Sequence, residues 1–339
     1  MAIGGTDKYR GESDKWKKKG APPHVAILLY PRAQLAAVHG LTDLFAVADR
    51  LARARLGTAD SLLRVSHRRM EGTAAPFDTH PQGAGEPDIV ILPPSLGGDP
   101  PAGPAVQPYV DWLRQRHAAG ATLASVCAGA FLLAETGLLD GRTVTTHWAL
   151  ADALAARFGQ VRVDADKLLI DDGDLITAGG LMAWTDLGLT LVDRLLGPTE
   201  MMETARFLLV DPPGREQRYY SAFSPRLAHG DAAILKVQHW LQRNGARDVT
   251  TGAMAQMAGL EERTFQRRFG AATGLKPIEY CQHLRIGKAR GLLEAGNDPV
   301  DQIAWEVGYE DPAAFRKLFV RVTGLSPGDY RRRFGVRRR

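Results

Sequence analysis

The 339-residue chain holds only two cysteines, Cys127 and Cys281. Thiols so few and so far apart make no disulfide framework and suit a reducing compartment. No stretch approaches the roughly 20 uninterrupted apolar residues of a membrane helix. Residues 1–22 carry charges where a secretory signal would need an apolar centre, and read as a basic leader outside the fold. No metal-ligand spacing occurs, and no Gly-x-x-x-x-Gly-Lys loop is present to cradle phosphate. Gly97-Gly98 and Gly179-Gly180 read as turns. These absences leave a soluble cytoplasmic protein for which no metal or cofactor is expected.

What is present is ordinary in bulk and uneven in distribution. Hydrophobic residues make up 45% and charged residues 24%, enough for real cores, and the length favours two domains. Residues 23–230 carry 18 basic and 23 acidic groups, a net −5, whereas residues 231–339 carry 19 and 12, a net +7. A basic segment on an acidic body fits a polyanion-binding module or a merely solvated basic face.

From His24 onward short apolar runs alternate with helical stretches. HVAILLY (24–30), DIVILPP (88–94) and TLASVC (122–127) have the continuous apolarity of strands buried on both faces, and TVTTHW (143–148) reads as a further strand. Leu41 to Leu51, Val110–His117, Ala149–Phe158 and 182–197 carry helical spacing. Alternation of this kind implies an α/β domain with a mainly parallel sheet between helices, assigned to 23–209. Residues 210–230 are polar and turn-rich, a linker by composition. Beyond them the strand signal vanishes, and 231–335 reads as an all-α domain followed by a basic tail, 336–339.

The all-α domain is written twice. TGLKPIEY (273–280) returns as TGLSPGDY (323–330), Phe265-x-x-x-Phe269 as Phe315-x-x-x-Phe319, and Met254-Ala255-x-x-Ala258-Gly259 as Ile303-Ala304-x-x-Val307-Gly308. Each copy is a short helix, a glycine turn and a second helix, the layout of a helix-turn-helix unit. The i, i+4 phenylalanines place one buried stripe on each second helix. Arg263, Gln266 and Arg267, and Ala313, Arg316 and Lys317 must then face elsewhere, as side chains entering a DNA major groove do. A helical bundle made by duplication, with no DNA partner, is the plainer alternative. On these motifs residues 231–335 resemble the AraC/XylS family of transcription regulators. The resemblance implies seven helices, two helix-turn-helix units and base contacts at those six positions. Glu261 stands where the family has a small hydroxyl residue, which suggests a looser helix start.

In the first domain SVCAGAFLLAETGLL (125–139) carries Cys127 where a strand turns into a helix, and His147 follows at the end of the next strand. Both then belong at the carboxyl edge of the sheet, where ligands of open α/β sheets bind. A Cys–His pair can be a nucleophilic centre, and a lone cysteine can be inert packing. SVCAGAFLLAETGLLDGRTVTTHW and ITAGGLMAWTDLGLTLV resemble the class I glutamine amidotransferase-like (ThiJ/PfpI) superfamily, which implies a flavodoxin-like fold. The closer likeness is to GlxA-type regulators, which join such a domain to an AraC-type tail. Their early Asp-x-x-Gly-Pro-x-Glu helix reads Ala37-Val38-His39-Gly40-Leu41-Thr42-Asp43 here, so the acid expected beside the cysteine is Asp43. The resemblance implies a homodimeric regulator on double-stranded promoter DNA, with RNA polymerase as a further partner. Its small, nitrogen-containing effector would be bound by Asp43, Cys127, Ala128, His147 and Trp148. No catalytic residue is expected. The alternative is a Cys127-dependent hydrolase, amidase or isonitrile-hydratase-like enzyme.

Overall fold

The computed structural model describes residues 21–70, 77–83, 85–97, 100, 102–221 and 223–336. Most of the expected leader and of the basic tail lies outside the described residues. The chain divides into two compact units, Met1–Gln217 and Arg218–Arg339. The division falls inside the expected linker 210–230, but that segment is pinned. Glu216 forms a β-bridge with Lys167 in the first unit, and in the second Arg290 donates to the carbonyls of Arg218 and Ser221. Composition alone does not separate a free tether from a strap whose backbone is held.

The first unit contains strands β1 (His24–Leu28), β2 (Arg64–Arg68), β3 (Phe77–Asp78), β4 (Ile89–Leu92), β5 (Thr122–Val126), β6 (Thr143–Val144), β7 (Arg162–Val163), β8 (Leu169–Asp171) and β9 (Leu175–Ala178). Its helices are α1 (Leu35–Leu56), α2 (Gln107–Ala118), α3 (Gly129–Ala134), α4 (Ala151–Arg157), α5 (Trp184–Leu196) and α6 (Pro198–Leu208). Seven strands form one sheet in the order β3-β2-β1-β4-β5-β9-β8, antiparallel only at its two margins. Side chains alternate across it. Val25, Ile27, Ile89 and Ile91 face one core with α1 and α5, and Leu28, Val90, Leu92 and Leu123 face a second with α2 and α3. That double burial explains the unbroken apolar runs.

Two sequence expectations need correction. TVTTHW is not a strand of the main sheet: only Thr143–Val144 is extended, and it pairs with β7 in a separate two-stranded sheet. The threonines after it bond through their side chains, Thr145 Oγ1 to the Lys167 carbonyl and Thr146 Oγ1 to the Cys127 carbonyl, both 2.8 Å. α6 had no counterpart in the reading, although Gly197-Pro198 is a helix-start signal, with proline at the first turn.

The second unit is all-α, with seven helices among the described residues: α7 (Ala232–Asn244), α8 (Thr251–Ala258), α9 (Glu262–Thr273), α10 (Pro277–Ala295), α11 (Val300–Glu306), α12 (Pro312–Thr323) and α13 (Pro327–Phe334). The sequence repeat is a repeat of geometry. Phe265 and Phe269 lie 5.3 Å apart by ring centroid, and Phe269 meets Tyr280 edge-on at 5.3 Å. In the second copy Phe315 and Phe319 are 5.6 Å apart, and Phe319 meets Tyr330 edge-on at 5.5 Å. Gly274 and Gly324 close α9 and α12 at φ 76° and 77°, which any side chain would strain. Thr273 and Thr323 donate back to the Phe269 and Phe319 carbonyls at 2.7 and 2.8 Å. The phrase Thr-Gly-Leu-x-Pro-x-x-Tyr therefore stops one helix, starts the next and caps the aromatic stack.

Two outcomes follow. Phe265→Ala, at a fully buried position, should cost about 3–5 kcal/mol by denaturant melting; an unchanged melt would remove Phe265 from the core. His24 is buried, 2.8 Å from Ser66 Oγ, and burial followed by the nearby Arg64 charge lowers its pKa to about 4. The unfolded chain therefore binds the extra proton between about pH 6.5 and 4. Stability should be full above that window and fall on acidification through it, by up to about 3 kcal/mol for this group. Thermal midpoints of wild type and His24→Gln across the window check this, the variant losing less.

Candidate functional site

In the second unit the buried phenylalanines fix what α9 and α12 present. Arg263, Gln266 and Arg267 are exposed on α9, and Ala313, Arg316 and Lys317 on α12. Gln266 donates to Glu262 at 3.2 Å and Arg316 pairs with Asp301, whereas Arg263, Arg267 and Lys317 make no ion pair with a described residue. Arg268 points away from this set and pairs with Asp231 at 2.7 Å, tying α9 to the start of α7. Asp311 caps α12 through the amides of Ala313 and Ala314 at 2.8 and 3.2 Å. The expectation of a loose start to α9 is overturned. The Glu261 carboxylate accepts from the Thr264 amide at 3.1 Å, and the Arg263 and Thr264 amides hold its pKa below the usual carboxylate range. Glutamate's extra methylene still reaches the free amides of the first turn.

In the first unit Cys127 follows β5 directly with φ 54°, a left-handed conformation unusual for a non-glycine residue. This is the sharp turn expected of an elbow. Its amide donates to Ala178 at 2.8 Å. Gly129 follows because no Cβ fits there: one would stand 2.5 Å from the Leu92 carbonyl oxygen. Cys127 and Ala128 are buried, at 4% and 5% exposure. Burial pushes the Cys127 thiol up to about 11, against the small opposing pull of the Ala128 amide. The thiol is therefore protonated at neutral pH, and thiols in that form are poor nucleophiles.

His147 reaches the same edge by a different route. Thr146 bonds to the Cys127 carbonyl, so the loop that carries His147 is fastened to the elbow. His147 Nδ1 accepts from the Ala149 amide at 3.1 Å, which puts the ring proton on Nε2, and burial lowers its pKa, favouring the neutral ring. The Trp148 ring leans on it at 5.3 Å. Among the described residues no hydrogen bond joins Cys127 to His147. Asp43 is not brought into the group; it lies on the exposed face of α1. Ala37, one and a half turns earlier, is fully buried. Of two further tryptophans, Trp184 packs over Gly40, and Trp305 is 55% exposed. Cys281 is buried packing, 3.9 Å from the Met254 sulfur.

Residues 254–333 match the helix-turn-helix domain family, and residues 43–194 match the DJ-1/PfpI family. The HTH-type transcriptional regulator GlxA of Rhizobium meliloti is 30% identical over 226 residues, 66% of this chain and 69% of that protein. CdhR of Pseudomonas aeruginosa, also an HTH-type transcriptional regulator, is 30% identical over 67% of this chain and 68% of its own length. The regulator Rv1931c of Mycobacterium tuberculosis is 29% identical over 269 residues, 74% of this chain and 97% of that protein. This chain belongs to the GlxA-type transcriptional regulators. It is a DNA-binding protein with a DJ-1/PfpI domain of flavodoxin-like fold and an AraC-type helix-turn-helix domain.

In this GlxA-type regulator no acid or base is hydrogen-bonded to the Cys127 thiol among the described residues, and burial raises its pKa. The family pattern's first acid is Ala37, and its second, Asp43, faces solvent. The names of the relatives support the non-enzyme reading. Sequence reasoning missed two polar residues that organise the edge, Thr146 and Gln217. Gln217 lies in the turn-rich strap, and its only signal is a polar residue between Glu216 and Arg218. It is 2% exposed, and its side-chain amide donates to the Thr146 and Lys167 carbonyls at 2.8 and 2.9 Å.

A chemical test follows from the raised thiol pKa. Iodoacetamide at pH 7 should label Cys127 far more slowly than a free thiol, with the rate rising steeply toward pH 11. Peptide mass mapping of the native protein reads the rate, and fast labelling at neutral pH would restore an activated cysteine.

Proposed function

We propose that this regulator reads promoter DNA with α9 and α12, and that the Cys127–His147 edge of its first unit senses a small metabolite. The outward setting of Arg263, Gln266 and Arg267 and of Ala313, Arg316 and Lys317, over buried phenylalanine pairs, supports the first half. Arg and Lys suit guanine, and Gln suits adenine. The six positions differ between the copies, so one chain reads two unlike half-sites, with α10 as the spacer between them. The net +7 of residues 231–339 supplies phosphate attraction.

The sensing half rests on the chemistry of the edge. The protonated Cys127 thiol and His147 Nε2 both donate, the Ala128 backbone lies beside them and the Trp148 ring forms an apolar wall. Such a site suits a small nitrogen-containing metabolite with a carboxylate, of the amino-acid or betaine class. Asp43, exposed on α1, would add a carboxylate for the nitrogen end of such a ligand. The regulator works as a homodimer in the cytoplasm, where its DNA and RNA polymerase are found. Among the described residues no helix is long and apolar enough to cross a membrane.

Arg267→Ala and Lys317→Ala should each weaken binding to a bound promoter by about 1–3 kcal/mol and relax base preference at one position. Titrations on the promoter and on shuffled duplex measure both. Equal losses on the two duplexes would mean that these side chains touch only phosphate.

A further inference from the structure

The segment before the second unit is held in the first by the Glu216 bridge to Lys167, by the Arg215–Asp186 ion pair and, most deeply, by the Gln217 side chain. Gln217 Nε2 lies 3.0 Å from Thr145 Oγ1, 2.8 Å from the Thr146 carbonyl and 2.9 Å from the Lys167 carbonyl, and Oε1 accepts from the Trp148 amide at 3.2 Å. The Gln217 backbone amide donates to Asp166 at 2.9 Å. Room for the side chain exists only because residue 179 is glycine: a Cβ there would stand 2.1 Å from Gln217 Nε2. Gly179 sits at an ordinary backbone angle and its amide continues the sheet ladder to Leu168 at 2.7 Å. It is a socket wall, not the turn read from the sequence. The side chain thus clamps residues 145–148, the stretch that holds His147 and Trp148 and that Thr146 ties to Cys127.

The next residue belongs to the other unit and is equally fixed within it. Arg290, a buried cation of α10, donates to the Arg218 carbonyl at 3.0 Å and to the Ser221 carbonyl. A Cβ on Gly324, which closes α12, would meet Arg218 Nε and the Tyr219 ring at 2.6 Å. Gln217 is therefore seated in the sensing edge and Arg218 on the second helix-turn-helix copy. Gln217 and Arg218 are consecutive in the chain, the last residue of one unit and the first of the other.

We propose that the Gln217–Arg218 peptide is the joint of regulation: movement of the 145–148 loop on effector binding is passed through Gln217 to the second helix-turn-helix copy. Gln217 is a positioning residue and touches neither DNA nor, in this reading, the effector. The inference rests on the sensing role proposed above. Its physical requirement is that the effector prefer either the seated arrangement of Gln217 or one in which the side chain has left the socket.

The experiment has two arms on the full chain. In limited trypsinolysis, Gln217→Ala should speed cleavage after Arg215 and Arg218 about tenfold, since cleavage follows the population of the open strap. Gly179→Ala should do the same by expelling the glutamine, and the double variant should be no faster than Gln217→Ala alone. Unchanged cleavage, or additive effects of the two substitutions, overturns the socket. In the second arm a reporter from a promoter bound by the wild type is read in defined medium with and without a mixture of amino acids and betaines. Gln217→Ala should keep its promoter occupancy and lose the response, as His147→Ala does. A normal response in Gln217→Ala beside a lost one in His147→Ala overturns the joint and leaves the sensor standing. An indifferent wild type, or a normally responding His147→Ala, overturns the sensor, while the first arm still decides the socket.

Discussion

The packing of Phe265 and Phe269 on Tyr280, and of Phe315 and Phe319 on Tyr330, is the constraint on which the second unit depends. Two aromatic side chains four residues apart occupy one stripe of a helix and admit one rotational setting. Once that stripe is inside, Gln266, Arg267, Arg316 and Lys317 are turned outward, while Leu318 joins Phe315 and Phe319 in the core. The cationic surface of α9 and α12 is thus a consequence of hydrophobic burial. Its charge adds little to stability, because exposed charges on a surface are well solvated.

The first unit shows the opposite relation between burial and chemistry. The elbow at Cys127 has the backbone of a nucleophile turn, with its left-handed residue and the close approach of Gly129 to β4. Yet burial raises the thiol's pKa, and among the described residues no acid or base is hydrogen-bonded to the thiol to reverse that. The same residues that would make a reactive centre in a more polar surrounding make a donor-rich, inert edge here. The geometry of a turn and the reactivity of its side chain are separately controlled.

Much of this was legible in the letters. The continuous apolar strands, the duplicated hairpins and the six outward positions follow from periodicity, which reports burial directly. What escaped was held by interactions without period. β6 stops after Val144 because Thr145 and Thr146 turn their hydroxyls onto backbone carbonyls, and TVTT spells a strand just as well. Asp43 matches a family pattern in position but is an exposed residue of α1 with no hydrogen bond to Cys127 among the described residues. Glu261 caps its helix although glutamate seldom does so, since nothing at the exposed start of α9 competes for its carboxylate. Gln217 could not be read as buried from a polar, turn-rich segment, because its burial depends on four partners scattered from Thr145 to Lys167.

The two copies in the second unit keep the same interior and carry different exteriors. A change in the outer letters of one copy leaves the shape of both undisturbed, because none of those letters holds the scaffold together. A lineage of such proteins can therefore recut one half of its target word while the other half stays fixed, and drift from one set of genes to another without passing through an unfolded ancestor.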